Sequence, residues 1–379
     1  MTQSDNILLS IVVPTKNRYF YLKELIELVE RLHSNKVELV IQDNTADNSE
    51  ILSFMNEKKY SFINYNHIEE SISMTENSDA AILNSRGEYI CFIGDDDGVV
   101  NNILHVVQYM KEHDIDAVVP KKLEYNWPDF VDNSIFNLSA TLIVPECRNK
   151  FVKVDVNSEL KKSINNGFKN MGLMPRVYQG IVKKESLNRI YYAANTYFPG
   201  PSPDMANAVA LSVLNVRTYF YDGLAVISGQ SKNVGGGERA MKGNLKKIED
   251  IPFMPKDVKK TWDQNIPQLW CSDTVWPQSA INTLKSFNYI AKINYNLILG
   301  RFLFNHKQYR NYCRPYVKNK ALVNYYILKE YIDKIIPYFK NRYFFLTSGR
   351  KRITAGYLHR NVMSVLEVLD HLGMKSFSK

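Results

Sequence analysis

The sequence predicts an α/β fold: a mainly parallel sheet flanked by helices, with a helical extension at the C-terminal end. Short β-branched apolar runs alternate with segments of helical spacing over the first 120 residues. From about residue 241 the pattern changes to basic, tyrosine-rich amphipathic segments, including 281–304 and 322–340. Apolar residues at 45% and charged residues at 23% are ordinary for a globular protein and exclude a wholly disordered chain.

Strands and helices are predicted in alternation from the first apolar run onward. The strands are predicted at 7–13, 37–42, 61–65, 89–93 and 116–119, and the helices at 19–33, 48–55, 75–84 and 100–112. Such alternation is typical of βαβ units, whose ligands gather at the carboxyl ends of the strands. Three polar segments follow predicted strands and should meet in one cleft: 14–18, 43–44 and 94–98.

Residues 120–200 are less regular. A helix is predicted at 183–192, and a second helix runs from Ser202 to about Leu214, with Ser202 as its cap and Pro203 in its first turn. Residues 224–228 form the last predicted strand, and a triple glycine follows at 235–237. That glycine run is either a flexible lid or a plain linker.

The charge is unevenly distributed along the 379 residues. The formal net charge is +9, yet residues 241–379 carry 24 Lys and Arg against 9 Asp and Glu, so the N-terminal part is acidic overall. This asymmetry argues against a nucleic-acid coat over the whole chain and favours a basic tail facing an anionic surface.

The cysteines and the N-terminus indicate a cellular compartment. The four cysteines form no Cys-x-x-Cys pair, which argues against a zinc knuckle or a disulfide scaffold and suits a reducing cytoplasm. The first residues lack a basic segment followed by a long apolar one, so no secretory signal is expected. No segment reaches the roughly 18–20 apolar residues of a spanning helix. We therefore expect a cytoplasmic protein, soluble or peripheral on the inner face of the cell membrane.

The acidic triplet Asp95-Asp96-Asp97 is the strongest chemical signal in the sequence. Three adjacent carboxylates repel one another, and one interpretation is a solvated turn. The triplet, however, directly follows a predicted buried strand and stands between Gly94 and Gly98. That placement favours a Mg²⁺ or Mn²⁺ ion, which prefers oxygen ligands and would neutralise a diphosphate.

Two other polar segments at the predicted cleft have alternative roles. Asp43 could form a turn with its own backbone, or it could bind a base or a ribose. Lys16 and Arg18 could be solvated loop charges, or they could bind phosphate and balance the acidic triplet.

Three segments together resemble the family 2 glycosyltransferases. They are SIVVPTKNR at 10–18, VIQDN at 40–44 and GEYICFIGDDD at 87–97, in this order and spacing. The resemblance covers about the first 120 residues. It implies the GT-A fold with its Rossmann-like sheet, a nucleotide-sugar donor, an inverting mechanism and usually a divalent metal.

The resemblance also implies roles for individual residues. The nucleotide-sugar is expected at Pro14, Thr15, Asn17, Arg18, Asp43, Asp95 and Asp96. Asp43 would contact the base or ribose, with UDP-sugars favoured. Asp95 and Asp97 would form the Asp-x-Asp motif and hold Mn²⁺ or Mg²⁺, with Asp97 as the direct ligand, and Asp96 would reach the sugar.

The same resemblance places the catalytic base on an acidic residue that opens a helix downstream of the metal motif. Asp204 is the candidate, although the family usually has Glu-Asp here and this chain has Pro203-Asp204. An acidic residue in a first helical turn also stabilises the helix dipole without any further role. Asp222 and Glu238 are the alternatives.

Two further segments could contact substrate. MPRVYQGIV at 174–182 resembles a segment that precedes the catalytic helix in some bacterial members, so Arg176, Tyr178 and Gln179 could contact donor sugar or acceptor. Packing in the core is the alternative for Tyr178. Residues 228–231 and the triple glycine could close over the diphosphate, or form an ordinary loop.

Other classes of protein are not supported. No Gly-x-Gly-x-x-Gly fingerprint or P-loop is present, and the seven histidines show no metal-ligand spacing. A nucleotidyltransferase using the same cleft remains open, as does a non-catalytic membrane-associated assembly module. The intact acidic triplet argues against the module.

The predicted organisation is a GT-A catalytic domain over 1–240 and a basic helical domain over 241–379. Within the first, the nucleotide-sugar part spans about 1–120 and the acceptor part about 121–240. The expected activity is transfer of a sugar to a glycan or a lipid-linked acceptor in cell-surface polysaccharide synthesis. The basic domain could bind an anionic membrane surface or a protein partner, and no nucleic acid is expected.

Overall fold

A computed structural model describes residues 7–131, 138–232, 244–348 and 356–372. Within these ranges the strands form one sheet, ordered β11-β7-β6-β9-β4-β1-β2-β3, with β10 pairing β5, β6 and β8. The strands are β1 Leu9–Thr15, β2 Val37–Asp43, β3 Ile63–His67, β4 Tyr89–Phe92, β5 Gly98–Val99, β6 Ala117–Asn126, β7 Thr141–Pro145, β8 Phe151–Lys153, β9 Ile181–Lys183, β10 Thr218–Gln230 and β11 Gly356–Arg360.

Helices flank the sheet and continue beyond it. They are α1 Tyr19–Glu30, α2 Ser49–Lys58, α3 Met74–Leu83, α4 Asn102–Glu112, α5 Val156–Asn165, α6 Lys184–Ala194, α7 Pro203–Val213, α8 Val258–Thr261, α9 Ser272–Ser286, α10 Tyr295–Asn305, α11 Lys320–Ser348 and α12 Glu367–His371. None of the helices in the described ranges combines the length and the apolar character needed to cross a bilayer.

The predicted α/β fold with helices on the sheet is confirmed, and the sheet is mixed. Strands β3, β2, β1 and β4 pair in parallel, as does β6 with β10. The short strand β9 lies antiparallel between β4 and β6. It escapes a sequence pattern because only three residues, Ile181–Lys183, precede the next helix.

Two apolar layers cover the sheet. One packs side chains of α1 and α4 against the first face and includes Val362, Val365, Val368 and Leu369 from near the C-terminus. The other packs side chains of α3, α6 and α7 against the opposite face. Strand β1 is buried between the layers, which explains its mainly apolar sequence, and its buried Ser10 donates to Glu38.

The C-terminal part is helical, and its end returns to the sheet. The segment predicted at 281–304 divides into α9 and α10, with the connection at 287–294 outside both helices. Helix α11 packs along α10, where Gly300 lies against Tyr326. Strand β11 then adds antiparallel to β7. The division into two domains near residue 240 stays a prediction, since the last strand of the chain joins the N-terminal sheet.

Candidate functional site

The register of the parallel strands brings three polar segments to one edge of the sheet. Thr15 pairs with Asp43 at the ends of β1 and β2, and Val12 pairs with Phe92 near the end of β4. The triplet that follows β4 therefore lies beside the residues that follow β1. All three of its aspartates are buried, with Asp97 only 1% exposed.

Arg18 neutralises the first two aspartates of the triplet. Its Nε lies 2.6 Å from Asp95 Oδ1, and its Nη2 lies 2.8 Å from Asp96 Oδ2. Thr15 donates to the other oxygen of Asp95 at 2.7 Å, and Ser231 donates to Asp96 at 2.6 Å. Burial lowers the pKa of Arg18, but the two carboxylates raise it by more, so the guanidinium stays charged.

Asp97 is held by uncharged donors instead. Its Oδ2 accepts the backbone N–H of Gly94 at 2.8 Å. Its Oδ1 accepts the backbone N–H of Gly229 and the side-chain amide of Gln179, both at 2.8 Å. Gly229 is required here, because a Cβ atom on it would lie 1.6 Å from the carbonyl oxygen of Asp96.

Burial disfavours the fully ionised form of the triplet. Burial raises the pKa of Asp95 to about 6, against the opposing effect of Arg18. Burial and the neighbouring Asp96 charge raise the pKa of Asp97 to about 7. A positive ligand that approached Asp97 would favour its charged form.

The donor set is compatible with a divalent cation held largely by substrate. Mg²⁺ typically takes one or two carboxylates and completes its shell with water and substrate phosphates. Asp97 supplies one carboxylate of the right chemistry, with Asp95 beside it. The described residues contain no cluster of three or more acidic, histidine or cysteine side chains arranged to hold a metal. These residues therefore fit an ion that arrives with a diphosphate, and do not form a complete protein cage.

The carboxylate of Asp43 is already engaged. Its Oδ1 accepts the backbone N–H of Thr45, which forms the expected turn, and its Oδ2 accepts the hydroxyls of Tyr19 and Tyr65. A contact of Asp43 with a base or ribose stays a prediction.

The residues around the end of β1 also lie at this edge. Lys16 donates to Asn44 Oδ1 at 3.0 Å, and Asn17 adopts a left-handed conformation with φ 59° and donates its backbone N–H to Thr45. Pro14 pairs with Gln42 within the sheet.

The segment after residue 174 lies between the triplet and α7. The backbone of Val177 and Gln179 bonds to both polar groups of Phe92 at the end of β4, and Val177 N–H donates to Asn207 on α7. Gln179 has φ 52°, a conformation that non-glycine residues rarely adopt. It thereby directs its amide at Asp97. Tyr178 is partly buried and packs its ring against Phe92.

Asp204 lies in the first turn of α7, as predicted. It accepts the hydroxyl of Ser202 and the backbone N–H of Met205. Ser202 occupies the cap position, but its hydroxyl donates to Asp204 and caps no backbone N–H. Burial raises the pKa of Asp204, and the nearby Arg176 acts in the opposite direction.

The alternative bases have different positions. Asp222 lies 2.5 Å from Lys121, early in β10 and seven residues before Gly229. Its carboxylate pairs with Lys121 and is separated from Gly229 by a stretch of β10 with two irregularities in register. Glu238 and the triple glycine at 235–237 lie outside the described residues.

Two residues at the site were not predicted from the sequence. Trp127 donates its indole N–H to the carbonyl of Asp96 at 2.9 Å, and Lys122 donates to Gln179 Oε1 at 2.7 Å. Lys122 lies in β6, which was predicted to end at residue 119 and continues to Asn126, and Trp127 directly follows the strand. The alternation of apolar Leu123 and Tyr125 with polar neighbours was the available signal.

Comparison with known proteins finds one family similarity, in the part of the chain that holds the triplet. The family model described as Glycosyl transferase family 2 matches residues 10–170, which include the triplet. None of the curated proteins compared with the chain matches it.

Several solved structures resemble the chain at low identity. S. aureus TarS 1-349 in complex with UDP-GlcNAc is 18% identical, with 84% of this chain and 78% of that chain covered and a TM-score of 0.47. The same protein in complex with UDP is 17% identical, with 83% and 75% covered and a TM-score of 0.44. The mannosyltransferase PcManGT from Pyrobaculum calidifontis, in complex with GDP-Man and Mn2+, is 13% identical, with 87% and 88% covered and a TM-score of 0.42.

Proposed function

We propose that the chain is an inverting, metal-dependent glycosyltransferase, because the Glycosyl transferase family 2 model matches residues 10–170. In this proposal a sugar moves from a nucleotide-diphosphate donor to a hydroxyl group of the acceptor. UDP-sugars are the favoured donors, with Thr15, Arg18 and the triplet at the donor end of the site.

The observation that carries the proposal is the connection between Asp97 and the start of α7. Gln179 donates to Asp97, and two residues earlier Val177 bonds to Asn207 on the helix that Asp204 opens. One short segment therefore ties the candidate metal ligand to the candidate base. An inverting displacement needs these two functions at opposite ends of the reacting centre.

Asp204 would act as the general base on the acceptor hydroxyl. Burial raises its pKa, which makes it a stronger base than a solvated aspartate. Arg176 and the helix N-terminus oppose that effect and keep the carboxylate ionised. The acceptor oxygen would bond to the anomeric carbon as the bond to the diphosphate breaks, while the hydroxyl proton passes to Asp204.

Asp97, with Asp95 beside it, would hold Mn²⁺ or Mg²⁺. Such an ion would neutralise charge that develops on the leaving diphosphate. Arg18 would keep Asp95 and Asp96 ordered when no nucleotide is bound.

We further propose a glycan or lipid-linked acceptor in cell-surface polysaccharide synthesis, reached at an anionic membrane surface. The support is an exposed apolar stripe on α11, formed by Tyr325, Leu328, Ile332 and Ile335, which are 46–58% exposed. Lys329 and Lys334 lie within the same stretch, together with Glu330 and Asp333. Apolar side chains with basic neighbours are typical of helices that lie on anionic lipid.

The test is thermal unfolding with a panel of nucleoside diphosphates and nucleotide sugars, each with and without Mn²⁺. A ligand at 100 times its Kd stabilises the folded state by about 2.7 kcal/mol. We expect one nucleotide to raise the melting temperature in a metal-dependent way, and Asp97→Asn to abolish that increase.

Asp114→Asn is the matched control, because Asp114 has an 80% exposed side chain and pairs with Lys183. It should keep the full nucleotide response. No response of the wild-type protein to any nucleotide would contradict the proposal. Release of pyrophosphate from a nucleoside triphosphate would instead identify a nucleotidyltransferase.

A further inference from the structure

Lys122 presents a positive charge at the centre of the site without a negative partner in contact. Its ammonium donates to the neutral oxygen of Gln179 at 2.7 Å. Within the part of the chain that the structure describes, no carboxylate forms an ion pair with it. Burial and the nearby Arg176 lower its pKa, which reports the same unfavourable surroundings.

Arg176 adds a second buried cation to this part of the site. It is 7% exposed, and its Nη1 donates to the carbonyls of Gly172 and Met174. Its Nε finds no hydrogen-bond acceptor among the described residues. Burial lowers the pKa of Arg176 to about 10, with Asp204 acting in the opposite direction.

Two cations without contacting anions are costly in a buried site, because the lost hydration is not replaced. Asp97, Glu124 and Asp204 are near enough to influence Lys122 electrostatically, but none of the three forms an ion pair with it among the described residues. A bound anion would supply the missing partner. The positive charge of Lys122 and Arg176 is therefore suited to binding an anionic ligand, and it is energetically unfavourable when no anion is bound.

We propose that Lys122 contacts the diphosphate of the donor and stabilises it as the leaving group. This inference rests on the proposed function. Lys122 acts as a hydrogen-bond donor and keeps its proton. As the bond from the anomeric carbon to the diphosphate oxygen breaks, its electron pair passes to that oxygen, and the Lys122 ammonium offsets the new charge. The acceptor oxygen forms the new bond to that carbon, and its proton goes to Asp204.

The shared partner Gln179 favours the diphosphate over an anionic group on the acceptor. The same side-chain amide donates to Asp97 at 2.8 Å and accepts from Lys122 at 2.7 Å. A diphosphate that reaches a metal at Asp97 must therefore lie close to the Lys122 ammonium. Arg176 acts electrostatically on both Lys122 and Asp204, the residue to which the proposed function assigns the acceptor hydroxyl.

Lys122→Met tests the contact between Lys122 and the diphosphate, because methionine keeps most of the length of the side chain and lacks the charge. The measurement is the Kd of UDP, UMP and uridine, with Mn²⁺, by titration calorimetry; GDP, GMP and guanosine replace them if the wild-type protein prefers guanine. Lys121→Met is the matched control. It removes the same charge from the adjacent position of β6, where the ammonium pairs with Asp222 outside the site.

We expect Lys122→Met to weaken UDP binding about 10- to 100-fold, which is the usual worth of a charge-assisted hydrogen bond. UMP and uridine should change less than about twofold, since they lack the second phosphate. Lys121→Met should leave all three affinities unchanged, and Lys122→Arg should recover part of the UDP affinity. The ligand-free Lys122→Met protein should unfold at the wild-type temperature or above it, because a buried charge has been removed.

An equal loss for all three ligands, or an unchanged UDP affinity, would overturn the assignment of Lys122. Such a result leaves the proposed function standing as long as the wild-type protein binds the nucleotide. If the wild-type protein binds none of them, the proposed function itself fails.

Discussion

The three buried carboxylates of the triplet have different kinds of stabilising partner. Asp95 and Asp96 share the guanidinium of Arg18, whereas Asp97 relies on two backbone N–H groups and one amide. Uncharged donors stabilise a buried carboxylate less than a cation does. Of the three aspartates, Asp97 would therefore be stabilised most by a positively charged ligand.

Asp79, which lies outside the site, predicts a pH dependence of the folding stability. It lies on α3 and accepts the hydroxyl of Thr196 and the backbone N–H of Tyr197. Burial raises its pKa from 3.8 to about 6. The folded state therefore binds a proton that the unfolded state has released between these pH values, and stability from this group declines as the pH rises from about 4 through 6.

Asp79→Asn should remove this pH dependence. Relative to the variant, the wild-type protein should lose up to roughly 3 kcal/mol of unfolding free energy between pH 4 and pH 7.5. Urea unfolding of both proteins across that range provides the measurement. A stability difference that stays constant with pH would show that Asp79 titrates normally.

At the scale of the secondary-structure elements, the site is assembled where strands β6 and β10 end. Strand β10 brings Gly229 against Asp96 and its backbone N–H to Asp97, while Lys122 comes from β6 and Trp127 from the position directly after it. The parallel pairing of β6 and β10 runs to Tyr125 and Gly229, which accounts for this meeting. Two long strands thus complete a site whose acidic residues come from a short one.

Gly229→Ala should abolish metal-dependent nucleotide binding. Its Cβ would collide with a backbone carbonyl, so the segment must move and withdraw its N–H from Asp97. Gly98→Ala is the comparison, because the atoms nearest to a Cβ there belong to the side chains of Leu28 and Ile227 and not to the backbone. We expect Gly98→Ala to retain the nucleotide response in thermal unfolding. Retention by Gly229→Ala would contradict the proposed geometry.

At the scale of the whole molecule, the C-terminal helices form a body continuous with the sheet. Arg301 pairs with Asp273 at 2.9 Å and donates to the carbonyls of Asn166 and Gly167, so α10 is held to α9 and to the end of α5. Glu330 on α11 pairs with Lys169. The exposed stripe of α11 is thereby carried at a defined place relative to the site.

The stripe predicts binding to anionic vesicles. The wild-type protein should sediment with phosphatidylglycerol vesicles more than with phosphatidylcholine vesicles, and less at high salt. Replacing both Leu328 and Ile332 by Ser should reduce sedimentation several-fold. Leu83→Ser is the control, because Leu83 is similarly exposed on α3. Equal sedimentation of all three proteins would exclude this stripe as the lipid contact.

Local patterns were sufficient for the first 112 residues, apart from the two-residue strand β5. The strands and helices up to residue 112 occur within a few residues of their predicted positions, because a buried parallel strand and an amphipathic helix each leave a distinct periodicity. The predicted meeting of Thr15, Asp43 and the triplet at one edge also holds, since parallel register aligns the strand ends.

The sequence by itself determined the α/β class, the acidic triplet and the position of Asp204 at a helix start. Tertiary structure alone decided that β9 intervenes between β4 and β6, that β11 returns to the sheet, and that Lys122 faces Gln179. The physical reason is the sequence separation of the residues that interact. Periodicity and capping act over a few residues, whereas Lys122 meets Gln179 across 57 positions and Asp97 meets Gly229 across 132. Those contacts depend on how the strands are ordered, which no local pattern specifies.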